Sequence, residues 1–242
     1  MLTHSEVEKN VEALFMDKMI NYVSADRRGL HVSNLVYSCM RKGYWDMVRE
    51  STSTNPVRSL DEDQVLTFAL GKMVHEVPIT DAHETPLQIS TLTGTTDEIL
   101  NNEDGSITII DKKTCTTLPL KPYEQHLNQI KYYAVMLYEK PEYKGKVMWG
   151  CVLYIQLGTD KSSTGKHIKA FAFPIDVTET REELIRKISI MNEAMKTKVP
   201  PDSTYSWLCN YCEWYTPCRL RDAKDKRWRE FFPPSELPPE NE

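Results

Sequence analysis

Ser106-Ile107-Thr108-Ile109-Ile110-Asp111-Lys112-Lys113-Thr114-Cys115 is the stretch on which the fold turns: an apolar, β-branched run that gives way abruptly to three charges. Period-2 alternation along such a strand puts Asp111 and Lys113 on one face. Immediately upstream, Asn101-Asn102-Glu103-Asp104-Gly105 is a turn-forming cluster, and Thr95 to Leu100 before it reads as a second strand, so the pair makes a hairpin. Equal extension from the turn pairs Leu100 with Ser106, which sets Asp97 opposite Ile109 and diagonal to Asp111 on the same face. Diagonal neighbours lie about 7 to 8 Å apart, within reach of one shared ion. Two carboxylates and a lysine at a sheet edge meet the needs of phosphodiester hydrolysis: oxygen ligands for a divalent cation and a fixed positive charge beside an attacking water. A D-x-K triplet alone is ordinary solvated surface, so the weight falls on its neighbours.

Two neighbours add to it. His75 lies on a helix read from Glu62 to Val77 behind an Asp61 cap, one turn after Gly71, where backbone can approach a neighbouring element closely. Its imidazole suits Mn better than an all-oxygen site does. Downstream, Pro122 opens a helix with Tyr123, Leu127, Ile130, Ala134 and Leu137 at helical spacing, and Pro141 closes it. Gln129 and Tyr133 stand at i and i+4 on that helix, able to bind a phosphate oxygen or position the lysine from one face.

Further out, helices are expected from Glu6 to Tyr22 and, behind a Ser33 cap, from Asn34 to Val48. A strand is expected from Leu87 to Thr93, and a pair from Lys146 to Leu157 and His167 to Ile175 around the polar loop GTDKSSTGK. Thr180 with Glu183 makes a capping-box start to a helix ending near Lys198. STSTNPVRSL, residues 51–60, reads as a loop, and the Pro- and Glu-rich end PPSELPPENE as a disordered tail. The order of elements implies an α/β fold, a mixed β-sheet flanked by helices. It divides into a helical region (1–80), a sheet-bearing core (81–198), a cysteine-bearing segment (199–228) and a tail (229–242).

The chain of 242 residues carries a net charge of -5 and six cysteines. It opens on polar residues and holds no apolar run of the roughly 20 residues that cross a bilayer, which predicts a cytoplasmic protein without membrane contact. In that reducing compartment, cysteines at unusual spacing indicate metal ligation or catalysis before cross-linking. Cys209, Cys212 and Cys218 form C-x2-C-x5-C, and Cys39 lies far upstream in SNLVYSCMRKGYW, read as part of the second helix. Four thiolates match an iron-sulfur cubane. They also match zinc, although zinc ribbons usually bring two C-x2-C pairs, and spacing alone leaves the two metals even. Cys115 and Cys151, inside strand patterns, are expected to be small buried hydrophobes.

The acidic balance excludes a protein that coats nucleic acid through many phosphate contacts but leaves room for a local basic groove, with Arg41, Lys42, Lys112, Lys113, Lys121 and Lys131 as candidates. The aromatics around the cysteines, Tyr37, Tyr44, Trp45, Trp207, Tyr211, Trp214 and Tyr215, are expected to shield a cluster more than to stack on bases.

The ordered set His75, Asp97, Asp111 with Lys113, and Gln129 with Tyr133 resembles the RecB-like branch of the PD-(D/E)XK nucleases, in which a helical His, an Asp, a D/E-x-K and a Q-x-x-x-Y follow in this order. The resemblance implies a restriction-endonuclease-like core in which His75, Asp97, Asp111 and the Lys112 carbonyl ligate Mg or Mn, and Lys113 orients the water and offsets charge on the phosphate. One cysteine before the core and three after it resemble the iron-sulfur subgroup of these nucleases, the fourth family of CRISPR-associated Cas proteins above all. In this chain Met40 stands where family members often carry Pro after the first cysteine. That likeness implies a 4Fe-4S cluster on Cys39, Cys209, Cys212 and Cys218. It implies an exonuclease acting on single-stranded DNA or single-stranded ends, trimming spacer precursors, with a Cas integrase complex as a possible partner. Two alternatives stay open: a nuclease of repair, recombination or a mobile element, and a non-enzymatic four-cysteine zinc or iron-sulfur module with a purely structural sheet.

Overall fold

The computed structural model describes residues 4–23, 29–52, 62–157 and 165–223. In chain order these form α1 (His4–Val23), β1 (Leu30–His31), α2 (Val32–Leu35), α3 (Met40–Thr52), α4 (Glu62–His75), β2 (Ala82–Ile89), β3 (Leu92–Asn101) and β4 (Ile107–Cys115). There follow α5 (Glu124–Tyr138), β5 (Met148–Gln156), β6 (Ile168–Ile175), α6 (Val177–Thr197), a 3-10 turn (Trp207–Tyr211) and α7 (Tyr215–Asp222). The strands make one six-stranded mixed sheet in the order β1-β3-β4-β5-β6, with β2 also paired to β3. β4 and β5 run parallel, joined through α5 as a parallel crossover requires, and the other long pairings are antiparallel. No helix among the described residues is long and apolar enough to cross a membrane.

The expected α/β architecture is present, with four local corrections. The hairpin register pairs Leu100 with Thr108 and Ile99 with Ile109, two residues away from equal extension. Continued by one step, it sets Asp97 directly opposite Asp111. The strand expected from Leu87 to Thr93 is two strands: Ser90 adopts φ 53°, a left-handed conformation that turns the chain between β2 and β3. The helix expected from Asn34 to Val48 is likewise broken. His31, not Ser33, caps α2, with its ring accepting the Ser33 amide while Asn34 Oδ1 accepts the His31 amide. The chain then doubles back, so that a Cβ on Gly43 would lie 1.8 Å from the Asn34 carbonyl oxygen. Only glycine permits that contact, and a straight helix could not make it. Finally, Asp176 caps α6 by accepting the Thr178 and Glu179 amides. The expected capping partner Glu183 instead accepts from the Tyr132 hydroxyl and pairs with Lys187. The Asp61 cap, most of STSTNPVRSL, GTDKSSTGK up to residue 164 and the PPSELPPENE tail lie outside the described residues.

The core sits between α5 and the sheet. Ile99, Ile107, Ile109, Ile130, Ala134, Leu137 and Val152 are all at most 1% exposed. Ile107, Ile109 and Asp111 share one face of β4, whereas Ile110 and Lys112 share the other with Glu98, the cross-strand partner of Ile110. The same alternation that packs the isoleucines therefore delivers the Asp111 carboxylate to one face and the Lys112 ammonium to the other.

Candidate active site

Asp97 and Asp111, brought opposite each other by the β3–β4 register, are both buried, Asp111 completely. Each carboxylate has its own set of partners. Asp97 Oδ2 accepts the Lys112 amide at 2.7 Å and lies 2.9 Å from His75 Nδ1 at the end of α4. Lys113 Nζ sits 3.1 Å from Asp111 Oδ1, with hydrogen-bond geometry, and 2.8 Å from Oδ2 without it, so buried Oδ2 accepts no hydrogen bond. The Lys113 ammonium is the counter-charge of that oxygen, whose lone pairs stay open to a further ligand.

The electrostatics separate the pair. Burial pushes Asp111 up to about 6, with the Asp97 charge adding and Lys113 opposing. Burial also pushes Asp97 up, but the His75 bond and charge, the Lys113 charge and the Lys112 amide outweigh it and hold this carboxyl below its ordinary value. When the two share a proton, it resides on Asp111.

His75 reaches Asp97 because α4 docks tightly beneath the sheet. A Cβ on Gly71 would meet Thr114 Oγ1 at 3.3 Å, the close approach expected of that glycine. Lys112 fastens the helix end: its Nζ, buried on the face away from Asp111, donates to the His75 and Val77 carbonyls at 2.8 and 2.7 Å and to Glu98 Oε1 at 2.8 Å. Glu98, fully buried, accepts in addition the Ile79 and Thr80 amides and the Thr80 hydroxyl. Burial raises its pKa, but Lys112 and these bonds bring it below the ordinary range, so the pair is ionic.

The structure adds one residue without a sequence signal. Donor atoms of His75, Glu84 and Asp97 lie within 4.8 Å of one another. Glu84 is exposed on β2 with φ 46°, and the β2–β3 register, continued across it, sets it opposite Asp97. On α5, Gln129 Nε2 donates to the Tyr133 hydroxyl at 3.1 Å, and Gly94 of β3 lets the buried Tyr133 ring lie against the strand. His75, Asp97, Asp111 and Lys113 thus gather over β3 and β4, interior strands of the sheet and not the expected sheet edge, with Gln129 and Tyr133 tied to each other on the helix that packs on the sheet. A mixed nitrogen and carboxylate set with an unsatisfied buried oxygen is suited to a divalent first-row ion or Mg.

All four cysteines expected to act together line one cavity, with Arg41, Lys42, Trp45, Ser203, Thr204, Tyr205, Trp214 and Tyr215 completing it. Cys39 lies in the bend before α3 and not within a helix. Met40 is the first residue of α3 and buried, the position at which a proline is best tolerated in a helix. Two sulfurs already accept bonds: Cys209 Sγ from the Ser206 amide and Cys218 Sγ from Arg41, each at 3.4 Å. Arg41 also donates to the Pro201 carbonyl and Asp222, and Asp46 accepts from Lys42, Arg49 and the Trp214 indole. These bonds fasten α3 to the C-terminal segment.

Of the candidates for a basic groove, Arg41 and Lys42 belong to this clasp and Lys112 to a buried ion pair, leaving Lys113 in the site, Lys121 exposed and Lys131 half-buried. Tyr44 and Trp45 are buried, Trp45 against Trp214 at 5.7 Å between ring centroids, as shielding demands, whereas Tyr211 is 82% exposed. Cys115 and Cys151 are partly buried in β4 and β5, away from the four.

The family model described as the PD-(D/E)XK nuclease superfamily matches residues 9–219. Among solved structures, the one titled "Crystal structure of SSO0001" is similar to this chain with a TM-score of 0.49 and 14% identity, over 94% of this chain and 97% of that one. Comparison with curated proteins returns no match.

Proposed function

The chain belongs to the PD-(D/E)XK nuclease superfamily, and on that premise we propose that it is a metal-dependent DNA exonuclease that hydrolyses single-stranded DNA from a free end. The observation that carries this reading is the set of two opposed aspartates, one on His75 and the other on Lys113, with a buried carboxylate oxygen that accepts no hydrogen bond. His75, Glu84, Asp97 and Asp111, with the Lys112 carbonyl, would hold the ion. Bound there, Mg or Mn supplies Lewis acidity toward the phosphate and lowers the pKa of a water. Asp97 is kept ionised by His75 and the Lys112 amide and so stays a ready ligand. Lys113, drawn against Asp111, presents a compact ammonium that orients the attacking water and offsets charge developing on the phosphate. Gln129, held in place by its bond to the buried Tyr133 hydroxyl, steadies the DNA backbone from α5.

End-labelled linear single-stranded DNA and a covalently closed circle of the same sequence, incubated with Mn, test this. The linear strand is expected to be degraded and the circle spared. Lys113→Ala should slow digestion on the order of a hundredfold or more. A linear strand left intact by the wild type defeats the reading.

For the cysteine cavity, we propose a 4Fe-4S cluster. Support comes from four thiols around one space, N–H donors already aimed at two sulfurs, and the resemblance to the iron-sulfur nucleases. Protein purified without oxygen should be brown and contain iron, and Cys218→Ser should lose both properties. A colourless protein with stoichiometric zinc would replace the cluster with a zinc site. The same resemblance supports trimming of spacer precursors beside a Cas integrase complex, which co-purification from the native host tests.

A further inference from the structure

Beside Lys113 lies a group that the roles above leave unused. Tyr154 of β5 is the in-register partner of Lys113 across the parallel β4–β5 ladder, so its ring stands on the same face as Asp111 and Lys113. It is 1% exposed, yet its hydroxyl is fully engaged: the Tyr123 amide donates to it at 3.1 Å, and His126 Nδ1 lies 2.8 Å away. His126 sits on α5 three residues before Gln129 and seven before Tyr133, extending their face of the helix by one turn.

The hydrogen bonds around Tyr154 favour one tautomer. The Tyr123 amide can only donate, and among the described residues His126 Nδ1 is the acceptor within reach of the Tyr154 proton. With Nδ1 accepting, the ring proton of the neutral imidazole is on Nε2. Burial, with the Lys113 charge adding, pushes the His126 pKa down to about 3, so the ring is neutral under ordinary conditions. Tyr123 packs edge-on to the imidazole with centroids 5.5 Å apart and restrains its rotation. The result is a fixed, uncharged N–H donor near Lys113. Such a donor can hold an anionic oxygen without the repulsion that a second cation beside Lys113 would incur.

We propose that His126 Nε2–H donates to a non-bridging phosphate oxygen of the DNA strand at the Lys113 side of the site, and that Tyr154 is the positioning residue that fixes the ring in that tautomer. This rests on the nuclease reading above. The nearest such oxygen would belong to the scissile linkage or the one beside it.

The test uses the full chain, Mn and a linear single-stranded oligonucleotide. His126→Leu should lower kcat/KM by roughly ten- to hundredfold, the effect of losing one bond to a charged acceptor. His126→Gln, whose amide places a donor near the old Nε2, should recover most of that loss. Replacing single linkages by methylphosphonates should locate one position at which wild type binds the modified strand more weakly and His126→Leu does not discriminate. Nitrogen-15 spectra of histidine-labelled protein should show Nε2 protonated and Nδ1 accepting, and Tyr154→Phe should mix the tautomers and lower kcat/KM in parallel. Nδ1 carrying the proton in the wild type, or Leu and Gln variants equally impaired, would overturn the assignment. An active wild type with an equally active His126→Leu removes this contact alone. A wild type as inert as Lys113→Ala removes the nuclease reading and the contact with it.

Discussion

Asp111→Asn is expected to cost on the order of a thousandfold in nuclease activity and, in the metal-free protein, to raise the melting temperature. The loss follows from removing a carboxylate oxygen positioned to neutralise a divalent ion. The gain follows from the environment of Asp111. It is completely buried, and its pKa in the folded protein stands at about 6 against 3.8 for the free side chain. Between those values the folded protein holds a proton that the unfolded chain has released. Metal-free stability therefore falls as pH rises from about 4 to about 6, and at neutral pH the ionised carboxylate costs about 3 kcal/mol. Asparagine has no such titration, so the melting-temperature advantage of the variant should grow from pH 4 to pH 6 and reach several degrees at pH 7. Mn should restore stability to the wild type and have far less effect on the variant. A difference in melting temperature between variant and wild type that does not grow from pH 4 to pH 6 without metal would contradict the buried charge.

Lys112→Met is expected to be the most damaging single change to the fold of the site. Breaking a buried ion pair from one side costs about 3 to 5 kcal/mol, because the remaining charge has no water to turn to. Here Glu98 would keep only its bonds from Ile79 and Thr80, and the carbonyls of His75 and Val77 would lose their shared donor. Urea unfolding should register the loss. Because the same ammonium holds the end of α4, titration of the variant with Mn should also show weakened binding, although Lys112 offers no side-chain ligand. Adding Glu98→Gln to Lys112→Met removes the stranded charge and should restore part of the stability without restoring Mn affinity. Equal stability of Lys112→Met and wild type would refute the buried clamp.

Much of this arrangement is legible in the sequence, for a reason particular to strands. The reading of the hairpin misplaced the register by two residues, yet Asp97 and Asp111 stay on one face, since a slip of two preserves the alternation and a slip of one would not. The slip arises from local side-chain bonds in the turn. Asp104 accepts from the Ser106 amide and hydroxyl, and Asn102 donates to Ser106 and Thr108, which moves the five-residue loop one position along the chain, from 101–105 to 102–106. Glu84 was illegible because its role depends on lying across a strand pair from Asp97, in a segment, Ala82–Ile89, without clean alternation. The direction of Lys112 was hidden for a similar reason. Beside Asp111 and Lys113 it resembles one more surface charge, and only the docking of α4 reveals it as an interior one. The separation of α2 from α3 turns on Gly43 meeting the Asn34 carbonyl, a tertiary contact that no helical periodicity encodes.

The cavity lined by Cys39 and by Cys209, Cys212 and Cys218 also sets an order of events in time. Its first wall is among the early segments to leave the ribosome, and its last is made only when translation has passed the whole sheet. At about 5 to 20 residues per second, Cys39 waits on the order of ten to forty seconds for its companions. During that interval α3 has no C-terminal segment to dock on, and its buried faces, Tyr44 and Trp45 among them, stand open to solvent and to chaperones. The clasp thus closes only after the sheet has been made. Stalled nascent chains that end before Cys209 should leave the Cys39 thiol open to alkylation, and chains carried past Asp222 should protect it.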